Sequence, residues 1–316
     1  MKSIPGLFLA AAATLAVAGP LEKTHVAADA RWVLHLDLDA LLASTVGDTL
    51  AREALDPKLA KPTADLKQQL GFDFDWRRIH GITLYGAEFS GPEHLRGVLL
   101  LDTDLDIAQG LELALQYQAQ KLAQLGGTPA LERLATEAGP LYALHERLYI
   151  APQPGVPVIV SQARQTLVKA QEVLTGGAPN LNAHAAFSQL CRAEPGSFFL
   201  VVAQGFSETA PVPPRAQVLK LAEALRLSLA ESEGQVHARL DLNAKQPETA
   251  SQMHQVLQGM MALLSLTQAD HQELQALLQG TRVGLDGRTV TVDITLPAAT
   301  VAQRITEEEQ KKRDRH

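Results

Sequence analysis

The chain holds one cysteine, Cys191, among 316 residues. An internal disulfide is therefore excluded, and stability must come from buried apolar surface. Cys191 follows Phe187 and Leu190 and reads as a small buried residue rather than a nucleophile. Aromatic residues make up 4%, too few for platforms that stack bases or sugar rings. Basic residues are not in excess: 28 Lys and Arg stand against 35 Asp and Glu, a formal charge of −7. That balance argues against a protein that works by neutralising nucleic-acid phosphates. Beyond the N-terminal segment no stretch is long and apolar enough to span a bilayer, so no integral membrane segment is expected after signal removal.

Catalytic motifs are missing as well. There is no Gly-x-Ser-x-Gly, no phosphate-cradling glycine loop and no dinucleotide fingerprint. His145-Glu146 opens a metalloprotease pattern, but Tyr149 stands where its second histidine belongs. Ser161 is followed at the third position by Arg164, not the lysine of a Ser-x-x-Lys nucleophile. No catalytic residue and no cofactor is assigned on these grounds. A triad gathered from distant residues stays open, since such sites leave no local spacing.

The N-terminus reads as a secretory signal. Lys2 is its charged start, Leu7 to Ala18 its Ala-rich apolar run, and Ala16-Val17-Ala18 a small-residue cleavage site. Residues 1–18 are expected to be removed and the mature protein to be periplasmic or secreted. No cysteine stands near the site to carry a lipid.

The stretch from Leu225 to Leu264 organises the rest. Leu225, Leu227 and Leu229 alternate with polar or small residues up to Glu231-Ser232-Glu233-Gly234, and Val236, Ala238, Leu240 and Leu242 alternate after it. Period two on both sides of a glycine turn is a β-hairpin. After Pro247 the period changes: Ala250, Met253, Leu257, Met260 and Leu264 line one face of a helix. The same order occurs earlier, with strands at Ile79–Tyr85 and Gly97–Leu101 and a helix from Asp104 or Asp106 through Leu125. Ile82 precedes Leu225 by 143 residues and Asp106 precedes Glu248 by 142, a near-constant offset that suggests an internal duplication. The halves are expected to be one α+β module over 30–177 and a second over 195–305, with a charged tail at 306–316.

Each half reads as a strand, a helical excursion, a hairpin, a helix, a second hairpin and a helix. Arg31 to Asp39 is the opening strand, with Asp39 suited to cap the next helix; Pro57 and Pro62 break up the segment beyond that helix. Asp286-Gly287 is the clearest turn signal of the chain. Short connections make the sheets antiparallel, with helices packed on one face.

His35, Asp37 and Asp39 offer imidazole and carboxylates from one strand face. Neighbours at i, i+2 stand about 7 Å apart, too far for three ligands on one ion, so no metal site is expected there. With helices over Leu225, Leu227, Val236, Leu240, Val292 and Ile294, the opposite face presents Arg226, Ser228, His237, Arg239, Thr291 and Asp293. Those side chains suit hydrogen bonding to a partner on a flat open surface; a merely solvated face is the alternative. A third possibility is burial in a cleft, which would require carboxylates beside Arg226 and Arg239.

Arg31-Trp-Val-Leu-His-Leu-Asp-Leu-Asp39, Pro195-Gly-Ser-Phe198 and Leu285-Asp-Gly-Arg-Thr-Val290, together with the signal segment, resemble uncharacterised secreted bacterial proteins of unknown function. The resemblance implies an address and a two-repeat α+β fold, and no catalytic residues. Three functions remain open: a non-catalytic binding or scaffold module for an unknown envelope protein or small ligand, a carrier of an apolar ligand between sheet and helices, and a hydrolase with a dispersed site.

Overall fold

A computed structural model of the chain describes residues 19, 21–89, 97–136, 139–192, 194–206, 214–267 and 272–315. The apolar run ending at Ala18 and the Ser90-Gly91-Pro92 turn lie outside them. The period-two segments become strands β1 (Trp32–Asp37), β2 (Ile79–Gly86), β3 (Val98–Thr103), β4 (Leu131–Thr136), β5 (Gly139–Leu144), β6 (Leu148–Ala151), β7 (Val158–Ser161), β8 (Ser197–Gln204), β9 (Ala222–Ser232), β10 (Gln235–Ala244), β11 (Thr281–Asp286) and β12 (Thr289–Pro297). They form one 12-stranded antiparallel sheet in the order β11-β12-β10-β9-β8-β1-β2-β3-β7-β6-β5-β4. The fold is α+β. The halves do not carry separate sheets: β1 pairs with β2 on one side and with β8 on the other, and this seam makes them continuous.

Outward from the seam, the first half runs β1, β2, β3, β7, β6 and the second β8, β9, β10, β12, β11. The first half adds β5 and β4 at its edge. This is a likeness of strand order alone and does not show an internal duplication.

Alternation along the strands decides the layers. Trp32, Leu34 and Leu36 share a face with Leu225, Leu227 and Leu240, as the registers require. Helices α1 (Leu38–Ala43), α2 (Thr45–Leu50), α3 (Asp56–Leu70), α4 (Ile107–Leu125) and α7 (Pro247–Thr267) belong to this side. Ala250 and Met253 of α7 are fully buried beside Leu242 and Val290. The helix layer is not confined to that face. Over the first half, α5 (Arg164–Leu174) and α6 (Ala185–Leu190), with the N-terminal segment from Leu21, cover the opposite face and bury Val33, Leu100, Ile159 and Val202. The short α8 (Gln272–Gln279) precedes β11, and α9 (Ala298–Arg313) packs against α2. Cys191 is buried in the first cluster, and burial pushes its thiol up to about 12.

Two local expectations are corrected. Asp37, not Asp39, caps α1, its carboxylate accepting from the Ala40 amide at 2.9 Å. The strand ends two residues earlier than its leucines suggest, because Leu38 is drawn into the helix and buried beneath it. Pro62 does not break the chain. It lies inside α3, while Pro57 sits in the first turn, where a missing N–H costs nothing. The carbonyl that Pro62 leaves unbonded is that of Lys58, an exposed residue.

Gly47 is among the glycines that close approach requires. A Cβ on Gly47 would sit 1.8 Å from the Leu41 carbonyl oxygen, where α1 turns into α2. Gly47→Ala should force the two helices apart and destabilise by about 2 kcal/mol, the scale of overpacked cores. A lower urea midpoint with an unchanged slope is the expected reading; an unchanged midpoint would refute it.

Candidate functional site

The nominated face resolves into a closed ion network in place of an open surface. Arg226 stands on β9 between Val202 of β8 and Asp241 of β10. It is 2% exposed. Its Nη1 lies 3.0 Å from Glu194, 3.5 Å from Asp241 and 3.2 Å from Ser228 Oγ, and Nη2 donates to the Arg192 carbonyl at 3.2 Å. Ser228 is buried too. Residues 192 and 194, in the connection from α6 to β8, supply partners and cover the guanidinium. Asp241 also receives Arg239 Nε at 3.0 Å and the Thr291 hydroxyl at 3.0 Å. Arg239, half-exposed, reaches Asp293 at 3.8 Å across the β10–β12 ladder, and His237 approaches Thr295 at 3.4 Å. Arg226 and Ser228 are thus unavailable to a partner. The carboxylates that burial of the arginines demanded are present, delivered by a neighbouring strand and a connecting segment.

Arg239 and Asp293 remain at the rim. Since exposed ion pairs contribute about 0–1 kcal/mol, Arg239→Gln should lower stability by no more than about 1 kcal/mol, measured by urea denaturation. A larger loss would place Arg239 within the buried part of the network.

His35, Asp37 and Asp39 diverge. His35 Nδ1 meets Thr83 Oγ1 at 2.9 Å, Asp37 caps α1, and Asp39 holds His80 Nδ1 with both oxygens at 3.1 Å. Among the described residues no three His, Cys, Asp or Glu side chains are placed to hold a metal ion. His35 is 8% exposed and its Nε2 has no hydrogen-bond partner among the described residues. Burial holds its pKa down at about 4, against a smaller pull the other way from the Gly19 backbone beside the ring.

Several clefts open on the first half, and two bear on function. One, of about 610 Å³, lies between α5 and the ends of β2 and β3, lined by Tyr85, Val98, Gln162, Thr166 and the Lys169–Asp29 ion pair. The other, of about 560 Å³, lies at the start of α4 between His80, Asp102, Asp104 and the 152–158 segment. Neither is the leucine-lined cavity that an apolar carrier needs. The second contains a carboxylate-oriented imidazole, Asp39–His80. Its hydroxyl, that of Thr103, is committed to the Arg78 carbonyl at 2.7 Å, and the Asp104 carboxylate lies 3.9 Å from His80 Nε2.

An exposed apolar feature on α7 was missed in the sequence. Along α7 the stripe of Ala250, Met253 and Leu257 is buried or packed on the sheet, whereas Met260 is 45% and Leu264 39% exposed. Val256, Leu263 and Leu266 are exposed beside them. The sequence signal was the spacing itself, which continues beyond the sheet that could cover it. Between Thr249 and Thr267 the helix contains no Asp, Glu, Lys or Arg.

No family model matches the chain, and no curated protein matches it. Among solved structures it is similar to crystal form IV of TP0453, at 13% identity, covering 92% of this chain and 98% of that one with a TM-score of 0.49. Crystal form I of the same protein is similar over the same shares at 12% identity and a TM-score of 0.45. At this distance neither likeness assigns a residue or an activity.

Proposed function

We propose that this chain is a non-catalytic binding protein of the bacterial envelope, and that its contact surface is the exposed second half of α7. The secretory features at Lys2 to Ala18 and the resemblance to secreted bacterial proteins support the address. The observation that carries the function is the gathering of Val256, Met260, Leu263, Leu264 and Leu266 at the surface of one helix that has no charged residue after Glu248. Contiguous exposed apolar patches mark interaction sites. The partner is a protein with an apolar surface of its own. A helix that binds an anionic bilayer carries Lys and Arg on its polar face, and α7 has neither; after Glu248 its polar positions are Thr, Ser, Gln and His.

The test is a paired substitution, Met260→Asp with Leu266→Asp. Because both residues are exposed, stability should stay within about 0.5 kcal/mol of wild type. Capture of a defined envelope protein, cross-linked from a probe at position 264, should fall at least fivefold, as expected when interface residues worth about 1 kcal/mol are lost. Unchanged capture would remove α7 from consideration. Equal loss of binding to vesicles of anionic lipid would instead assign the helix to a membrane surface.

A further inference from the structure

The cleft of about 610 Å³ between α5 and the ends of β2 and β3 is bordered by hydrogen-bond donors that no described side chain answers. Helix α5 starts at Arg164, and the position before it, where a side-chain cap would sit, is Ala163. A Ser, Thr, Asn or Asp cap accepts from the second or third amide of its helix. Here those amides belong to Gln165 and Thr166, and no side chain caps them. The Ser161 hydroxyl is close by but already engaged: it accepts from the Ala163 amide at 3.3 Å and donates to the Gly97 carbonyl at 3.0 Å. Gln165 and Thr166 both line the cleft. The open N–H groups of the first turn, at the positive end of the helix dipole, therefore border this space.

A second donor faces the same space. Tyr85 of β2 is 3% exposed, and its hydroxyl has no hydrogen-bond partner among the described residues. Burial and the Asp29 carboxylate hold the phenol above its usual range, while the Ala27 backbone pulls it down. A backbone group that lowers a phenol is an N–H on the acceptor side of its oxygen, so what Tyr85 still lacks is an acceptor for its O–H. Ala27 and Asp29 line the cleft with Tyr85, which places the hydroxyl at its wall. Buried donors call for acceptors, and a helix N-terminus favours an anionic one. The charged residues around the cleft are Asp29, Glu88 and Lys169, two carboxylates against one ammonium. Lys169 is paired with Asp29, so Glu88 carries the excess negative charge. A bare anion is disfavoured beside it, and a ligand with both a carboxylate and an ammonium is favoured. Ala27, Ala30, Ala163, Ala170 and Val98 leave space for small side chains, and the volume exceeds that of a single amino acid. We propose that this cleft binds a short peptide of small residues through its free ends. Its terminal carboxylate accepts from the Gln165 and Thr166 amides, another of its oxygens accepts from the Tyr85 hydroxyl, and its ammonium lies toward Glu88. This inference is independent of the role proposed for α7.

The experiment titrates trialanine, trialanine amide and N-acetyltrialanine into the protein and reads binding by calorimetry. The free peptide should bind, and amidation of its carboxylate should weaken it about tenfold, as for a lost hydrogen bond to a charged group. Acetylation should weaken it about threefold, since Glu88 is exposed and its ion pair is screened. Tyr85→Phe should weaken binding about fivefold with melting within about 2 °C of wild type, because the hydroxyl it removes has no acceptor in the folded chain. Ala163→Asp separates the site from the fold. It supplies the missing cap, so melting should rise by about 2 °C. The same carboxylate occupies the first-turn amides, so binding should fall about tenfold. No binding at about 10 mM trialanine would overturn the proposal. So would equal affinity for the acid and the amide, equal affinity for the free and acetylated peptides, or undiminished binding to Ala163→Asp or Tyr85→Phe.

Discussion

Between pH 6.5 and about 4 the protein should lose on the order of 3 kcal/mol of stability through His35 alone. Burial is the cause: the ring sits at 8% exposure between β1 and the N-terminal segment, where an imidazolium loses its hydration. The folded-state pKa is depressed below the unfolded value. As pH falls below 6.5 the unfolded chain takes up a proton that the folded chain refuses, so stability drops. The loss is complete below about 4, where both states are protonated. Asp37 works in the opposite sense near the bottom of this window, because burial raises its carboxyl and the folded state then binds the extra proton. The steep part of the curve should therefore lie above pH 4. Urea denaturation of wild type and His35→Gln at half-unit steps would read it. The variant starts less stable at pH 7, but its stability should fall more gently from pH 6.5 downward. Parallel curves would mean that His35 is not the titrating group.

How much of this was legible in the sequence differs by layer. The hairpin around Glu233-Gly234 was readable because alternation and turn chemistry agree: both turn residues have positive φ, at 52° and 71°, which matches the twist of the strands. The helix from Ile107 to Leu125 was readable from its stripe and from Asp106, whose carboxylate accepts from the Gln109 amide at 2.8 Å. Strand β4 escaped, since Leu131–Thr136 carries charge and lies at the sheet edge, where burial imposes little pattern. Asp37 and Asp39 were exchanged as caps because either could end the strand, and only packing of Leu38 decides between them. The candidate face failed for a different reason. Alternation correctly assigns Arg226, Ser228, Arg239 and Asp293 to one face, and a turn at Glu233-Gly234 places Arg226 opposite Asp241. Nothing local to those strands tells that residues 192 and 194 will fold across them. The exposed end of α7 was hidden likewise: an apolar stripe states which residues share a face, and the extent of the sheet beneath it is a tertiary fact.

Arg226→Met should destabilise the protein by about 3 kcal/mol, the low end of the range for breaking a buried ion pair from one side. The arginine has lost its hydration almost entirely, and Glu194, Asp241, Ser228 Oγ and the Arg192 carbonyl replace it. Removing it strands these acceptors unequally. Glu194 is one-third exposed and can turn to water. Asp241 is 9% exposed and cannot, though Arg239 and the Thr291 hydroxyl still reach it. This residual pairing is why the loss should sit at the low end. The Arg192 carbonyl loses its donor, which loosens the connection from α6 to β8 and with it the seam between the halves. If the cost comes from the stranded carboxylate, Asp241→Leu added to Arg226→Met should recover part of it, because replacing both members of a buried pair by apolar residues is often neutral. Arg239 then loses its main partner but has solvent available. The measurement is a double-mutant cycle by urea denaturation. A single variant within about 1 kcal/mol of wild type would show that the network is not closed in solution. A double variant worse than the sum of its parts would locate the cost in lost packing around the arginine stem and not in the unpaired charge.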